Sequence, residues 1–108
     1  MKAVVLERYG GPEVLRVADL PEPPRAPGEA RVEVRAAALN PKDVMIRKGQ
    51  LRWLVGHEAQ RIVGYDIAGI LLDEASGIPA GSEVFGMIQA HRGGACAEVA
   101  RLPFRSPA

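Results

Sequence analysis

The chain has 108 residues, enough for one domain with a single core, and its 47% hydrophobic against 25% charged residues exclude a disordered chain. Fourteen basic and thirteen acidic residues leave a net charge of +1, and two Phe, two Tyr and one Trp supply few rings. Neither a nucleic-acid footprint nor a base-stacking platform is expected. A single cysteine excludes an internal disulfide, and no apolar run approaches the roughly 18 residues of a membrane span. With no signal-peptide h-region at the start, a cytoplasmic protein is expected. Twelve Gly and nine Pro punctuate the chain densely, which suits short strands and turns better than a helix bundle.

Lys2 to Arg8 reads as a strand, Gly10-Gly11-Pro12 breaks it, and Val14 to Leu20 alternates. Two such runs around a Gly-Gly-Pro turn predict a β-hairpin with a longer loop. Pro21, Pro23, Pro24 and Pro27 then lead to Gly28. The segment reads either as a polyproline II ligand or linker or as an extended connector across a β-domain, and the connector is favoured because it joins strands that need each other. Glu29 to Leu39 is the clearest strand, with Val32, Val34, Ala36 and Ala38 on one face and Arg31, Glu33 and Arg35 on the other.

That strand runs into a helix start. Asn40 suits the N-cap, Pro41 the first helical position and Asp43 the N3 position near the positive end of the dipole. Lys48-Gly49 ends the helix after about two turns. Gln50 to Gln60 lacks a period and reads as a loop pinned by Trp53. Arg61 to Val63 and Tyr65 to Leu72 read as strand, with Gly69 marking a bulge or close backbone approach. Glu83 to Ile88 and Ala95 to Ala100 are the last two expected strands, for a curled, mainly β domain of six or seven strands.

One Cys with His57 and His91 does not make a four-ligand zinc site, and Gly56-His57-Glu58 lies in the least periodic part of the chain. No metal is therefore expected. Cys96, in a Gly-Gly-Ala-Cys-Ala run, reads as a small, buried, inert thiol, since a reactive one wants a helix N-terminus or a cation beside it. Asn40, Asp43 and Asp66 carry two readings each. Singly they are a cap, a dipole partner and a turn or bulge acceptor; together they resemble a site.

Several segments, in order, resemble the N-terminal GroES-like domain of the medium-chain dehydrogenase/reductase superfamily, in its zinc-independent quinone oxidoreductase branch. They are Met1-Lys2-Ala3-Val4-Val5, Gly10-Gly11-Pro12-Glu13-Val14-Leu15, and Pro21-Glu22-Pro23 before Pro27-Gly28-Glu29. Ala37 to Asp43 resembles A-x-x-[LV]-N-P-x-D, and Gly64 to Gly69 resembles G-x-D-x-A-G. Glu83-Val84-Phe85-Gly86 and Gly93 to Glu98 complete the series. The resemblance implies a GroES-like, partly open β-barrel with one or two short helices and no Rossmann domain, filling residues 1–108 and incomplete at its C-terminal end.

By the same resemblance the domain is the substrate side of an NADPH-dependent reductase of quinones or enones. Asn40 would face the nicotinamide or substrate, with Asp43, Tyr65 and Asp66 forming the surrounding pocket. Zinc-dependent relatives carry Cys in place of Asn40 and Gly-His-Glu in place of Gly64-Tyr65-Asp66, so the zinc ligands are replaced here. Departures include Met45, where some relatives have tyrosine, and Gly81-Ser82 in place of Gly-Asp; the tail from Leu102 matches poorly.

NADP(H) is the cofactor implied for the full-length family. No G-x-G-x-x-G or G-x-x-x-x-G-K-[ST] occurs in these 108 residues, so tight NADP(H) binding and turnover by the chain alone are not expected. Expected partners are a Rossmann domain, or a second copy through the exposed interdomain face. The alternative is a GroES-like module that binds or supports without turnover, because fold alone does not carry function.

Overall fold

Strands β1 (Lys2–Leu6) and β2 (Leu15–Asp19) form the expected hairpin, pairing antiparallel from Lys2 opposite Asp19 to Leu6 opposite Leu15. A one-turn 3₁₀ helix, Pro12–Val14, fills the loop, its proline supplying a fixed φ at the start. The computed structural model describes residues 1–55, 61–88 and 93–104. Its remaining elements are β3 (Glu29–Ala38), α1 (Pro41–Arg47), α2 (Arg52–Val55), β4 (Arg61–Ile62), β5 (Asp66–Leu71), β6 (Glu83–Met87) and β7 (Val99–Pro103).

The strands fall into two sheets, ordered β2-β1-β4 and β6-β5-β3-β7, with every pairing antiparallel. The domain is therefore mainly β, with one main helix, as expected. The sheet is also open, in line with the partly open barrel expected: β6 and β7 sit at its opposite ends and do not pair. The sheet curls enough for Leu102 of β7 to pack against Gly86 of β6 from the inside, where a Cβ on Gly86 would lie 3.3 Å from Leu102 Cδ2. Side-chain packing, rather than a hydrogen-bonded ladder, spans that gap.

The largest core cluster lies within this curl and joins Val32, Ile67, Leu71, Ile88 and Leu102, all buried. A second cluster, Leu6, Val14, Ile46 and Tyr65, fixes α1 against the hairpin. The hairpin turn is also tied to the helix end: Gly10 N–H donates to the Arg47 carbonyl at 2.8 Å, and Arg47 Nη1 returns a bond to the Gly10 carbonyl at 2.7 Å.

Three local expectations are corrected. The alternation of β3 does not persist, because its register against β5 shifts between Val34 and Ala36. Val32 is buried, whereas Ala36 and Ala38 are exposed. The close approach foreseen at Gly69 lies opposite this bulge: a Cβ there would fall 2.0 Å from the Glu33 carbonyl oxygen. The final strand is β7, Val99–Pro103, not Ala95 to Ala100. Residues 95–98 instead cross between the sheets, with Val4 N–H donating to the Cys96 carbonyl and Val34 N–H to that of Glu98.

Trp53 does not pin its segment, since it is 78% exposed at the surface of α2.

Candidate functional site

The site is built where β3 ends and α1 begins. Asn40 has extended φ and ψ of −125° and 164°, and Pro41 opens the helix. Asp43 Oδ2 accepts from the Asn40 backbone N–H at 2.9 Å, satisfying a donor at the helix start. At the other end Gly49, at φ +82°, donates to the Ile46 carbonyl, while Gln50 donates to that of Met45. This is a Schellman stop that only a glycine accommodates cheaply.

The second oxygen of Asp43 reaches away from its own helix. Oδ1 accepts from Gly64 N–H at 3.0 Å, just before β5. Gly64 is held from the other side by Ala95 N–H on its carbonyl at 3.1 Å. Its φ of +95° excludes a side chain, and a Cβ would meet Ala95 Cβ at 2.9 Å and Cys96 Sγ at 3.0 Å. This anchored turn sets the start of β5, so that Asp66 Oδ2 accepts from Asn40 Nδ2 at 2.5 Å. Asn40, Asp43 and Asp66 are thus one hydrogen-bonded group, with Asp43 buried and Asn40 exposed.

Tyr65 points to the opposite side of its strand, into the second core cluster, and is only 3% exposed. Its hydroxyl accepts from Arg61 Nη2 at 2.8 Å, and the Lys42 ammonium sits 4.1 Å from the ring centroid. Among the four residues singled out from the sequence, Asn40 and Asp66 present polar groups side by side. Asp43 stands behind them and Tyr65 packs inward.

Asp66 begins an open apolar face. Residues directly opposite one another in an antiparallel sheet share a face, so the rows Met87–Asp66–Ala38 and Phe85–Ala68–Ala36 lie side by side. Phe85 is 87% exposed and Met87 64% exposed. The next part of the face is a groove of about 460 Å³ lined by Arg35, Ala68, Ile70, Glu83 and Phe85, among others. Sequence reasoning read Phe85 as a strand residue and missed that it faces outward; its alternation with half-buried Val84 and Gly86 was the available signal.

Cys96 is half-buried; burial raises its thiol pKa and the charge of Asp43 raises it further, both opposing thiolate formation. Among the described residues no group of three or more His, Cys, Asp or Glu side chains could hold a metal ion. His57, Glu58 and His91 lie outside the described residues. No helix among the described residues is long and apolar enough to cross a membrane.

The alcohol dehydrogenase GroES-like domain family matches residues 26–104. The chain is 33% identical over 104 residues to the chloroplastic quinone-oxidoreductase homolog of Spinacia oleracea, covering 93% of this chain and 32% of that protein. It is also 33% identical over 79 residues to the chloroplastic NADPH-dependent alkenal/one oxidoreductase of Arabidopsis thaliana, covering 72% and 20% respectively. Among solved structures, the quinone oxidoreductase of Coxiella burnetii superposes with a TM-score of 0.87 at 27% identity, covering 95% of this chain and 34% of that one. The quinone oxidoreductase of Thermus thermophilus, solved also in complex with NADPH, gives 0.73 at 32% identity, with coverages of 95% and 30%. The chain spans about a third or less of the length of the curated relatives it matches.

Proposed function

The chain belongs to the GroES-like domain family of the medium-chain dehydrogenase/reductase superfamily, on its zinc-independent, quinone-oxidoreductase-like branch, and from that premise we propose that it is the substrate-side domain of an NADPH-dependent quinone or enone reductase. The observation that carries this reading is the Asn40–Asp66 hydrogen bond at the end of an open apolar face. The apolar rows suit a flat, hydrophobic substrate, while the polar pair fixes the orientation of its oxygen. Asp43 holds the pair in place through Gly64, and Tyr65 supports the site from within the core.

A dinucleotide does not fit the described residues as a complete site. The start of α1 already holds the Asp43 carboxylate, which repels phosphate, and these 108 residues contain no G-x-G-x-x-G turn. NADPH, the hydride donor of the proposed reaction, is assigned to a Rossmann domain that pairs with this one. The contribution of this chain is binding, orientation and exclusion of water from the substrate.

The test is reconstitution. The purified 108-residue chain should not oxidise NADPH with a quinone or an enone. Joined to the cofactor domain of the Thermus thermophilus quinone oxidoreductase, it should do so, and Asn40→Ala should lower kcat/KM without a matching loss of stability. Steady turnover by the chain alone overturns the division of labour. A joined protein that folds and binds NADPH but reduces neither substrate class favours a binding module without turnover. An activity loss that merely tracks a destabilisation of about 1 kcal/mol reduces Asn40 to a helix cap.

A further inference from the structure

The first turn of α1 meets residues 64–66, at the start of β5, through three side chains in turn. Asn40 Nδ2 donates to Asp66 Oδ2 at 2.5 Å, the Lys42 ammonium lies 4.1 Å from the centroid of the Tyr65 ring, and Asp43 Oδ1 accepts from Gly64 N–H at 3.0 Å. Two of these residues have a local reason to be where they are: Asn40 is the N-cap, and Asp43 accepts from its backbone N–H. Lys42 has no such reason. A cation in the first helical turn opposes the macrodipole, and among the described residues its ammonium forms no ion pair. Its partner is the face of a buried ring, whose hydroxyl is fixed in turn by Arg61 Nη2 at 2.8 Å.

We infer that Lys42 is a positioning residue for the Asn40–Asp66 pair. The Asp43–Gly64 bond fixes one distance between α1 and the start of β5, but a single bond leaves the helix free to roll about it. Tyr65 and Asp66 point to opposite sides of their strand, so Lys42 and Asn40 hold it from opposite sides of that pivot. The Tyr65 ring cannot follow a roll of the helix. It is 3% exposed, packed with Leu6, Val14 and Ile46, and its carbonyl accepts from Ile88 N–H at 2.7 Å. Attraction between the ammonium and this fixed ring therefore holds the roll at which the Asn40 amide reaches Asp66. What the pair does for a substrate rests on the reductase reading, whereas what aims the pair does not.

Asn40 is the chain's one asparagine, so selective ¹⁵N labelling of the 108-residue chain isolates a single side-chain amide for NMR. With Asp66 as acceptor, one of its protons should lie downfield of those of a solvent-exposed asparagine. Ring current from Tyr65 should move the Lys42 methylene next to the ammonium upfield. Lys42→Met keeps the apolar stem and removes the charge, and the Asn40 protons should then move to free-amide values. Lys42→Arg, which returns a cation to the ring, should restore them. The Gly64 amide, held by Asp43, reports whether the helix stays docked, and it should keep its shift and exchange protection in both variants. An unshifted Lys42 methylene overturns the proposal, as does an Asn40 amide indifferent to Lys42→Met or one that Lys42→Arg fails to restore. Loss of Gly64 protection along with the Asn40 shift overturns it too, by reducing Lys42 to a docking contact. A free-amide Asn40 in the unmodified chain removes the pair itself, and with it the reductase reading.

Discussion

The carboxylate of Asp43 and the amide of Gly64 meet at 3.0 Å across 21 residues of chain, and this bond joins the first turn of the helix to the start of β5. Because the other oxygen of Asp43 holds Asn40, a single buried side chain sets the spacing between the two polar residues of the candidate site.

Replacing Asp43 with Ala leaves the Gly64 donor buried without its acceptor. A loss of about 1–3 kcal/mol of stability is expected from denaturant unfolding. Asp43→Asn keeps the shape and one acceptor oxygen but gives up the charge-assisted bonds, so its loss should be smaller. Equal losses from both would mean that the shape and acceptor oxygen kept by Asn contribute nothing, and that the carboxylate's charge-assisted bonds carry the whole effect.

Glycines in this chain divide by what surrounds them. Gly69→Ala would drive a Cβ to 2.0 Å from the Glu33 carbonyl, which is backbone and cannot step aside without parting β3 from β5. Its thermal midpoint should fall further than that of Gly77→Ala. Gly77 has a φ of +83° but nothing within 4 Å of a new Cβ, leaving only the left-handed backbone cost of about 1–2 kcal/mol. Comparable midpoints for the two variants would contradict the close strand approach.

Asp73 accepts from Arg31 through both oxygens, from Nη2 at 2.9 Å and from Nε and the backbone N–H at 3.0 Å. These bonds hold its carboxyl at about 2, below the ordinary 3.8. A carboxyl depressed in the folded state stabilises fully above its unfolded pKa and loses that contribution as pH falls through the folded one. Thermal midpoints should therefore decline between pH 4 and pH 2, and Asp73→Asn should flatten that part of the profile. An unchanged profile in the variant would assign the acid sensitivity to other carboxylates.

Trp53 is the chain's one tryptophan and is mostly exposed. Native fluorescence should be red-shifted and readily quenched by iodide, and Trp53→Ala should change stability by no more than about 0.5 kcal/mol. Blue-shifted emission that iodide cannot reach would restore the pinning role its bulk first suggested.

Local signals were legible where a residue acts on its immediate neighbours. Gly-Gly-Pro between two apolar runs specified the hairpin, Asn40 with Asp43 the helix start, and Gly49 its stop. The bulge in β3 was not legible, because Val32, Val34, Ala36 and Ala38 alternate without interruption and the shift arises only from pairing with β5. Tyr65 and Asp66 are adjacent in a motif, yet strand alternation sends one into the core and the other to Asn40.

By itself the sequence determined the strand-rich composition, the ends of the helix and the family to which the ordered motifs belong, since each depends on residues close together in the chain. Tertiary structure alone decided that Asp43 reaches Gly64 and that Phe85 faces outward from the end strand of its sheet. These depend on which distant segments pair and in what register, and a register set between strands is a property of two segments together that neither carries alone.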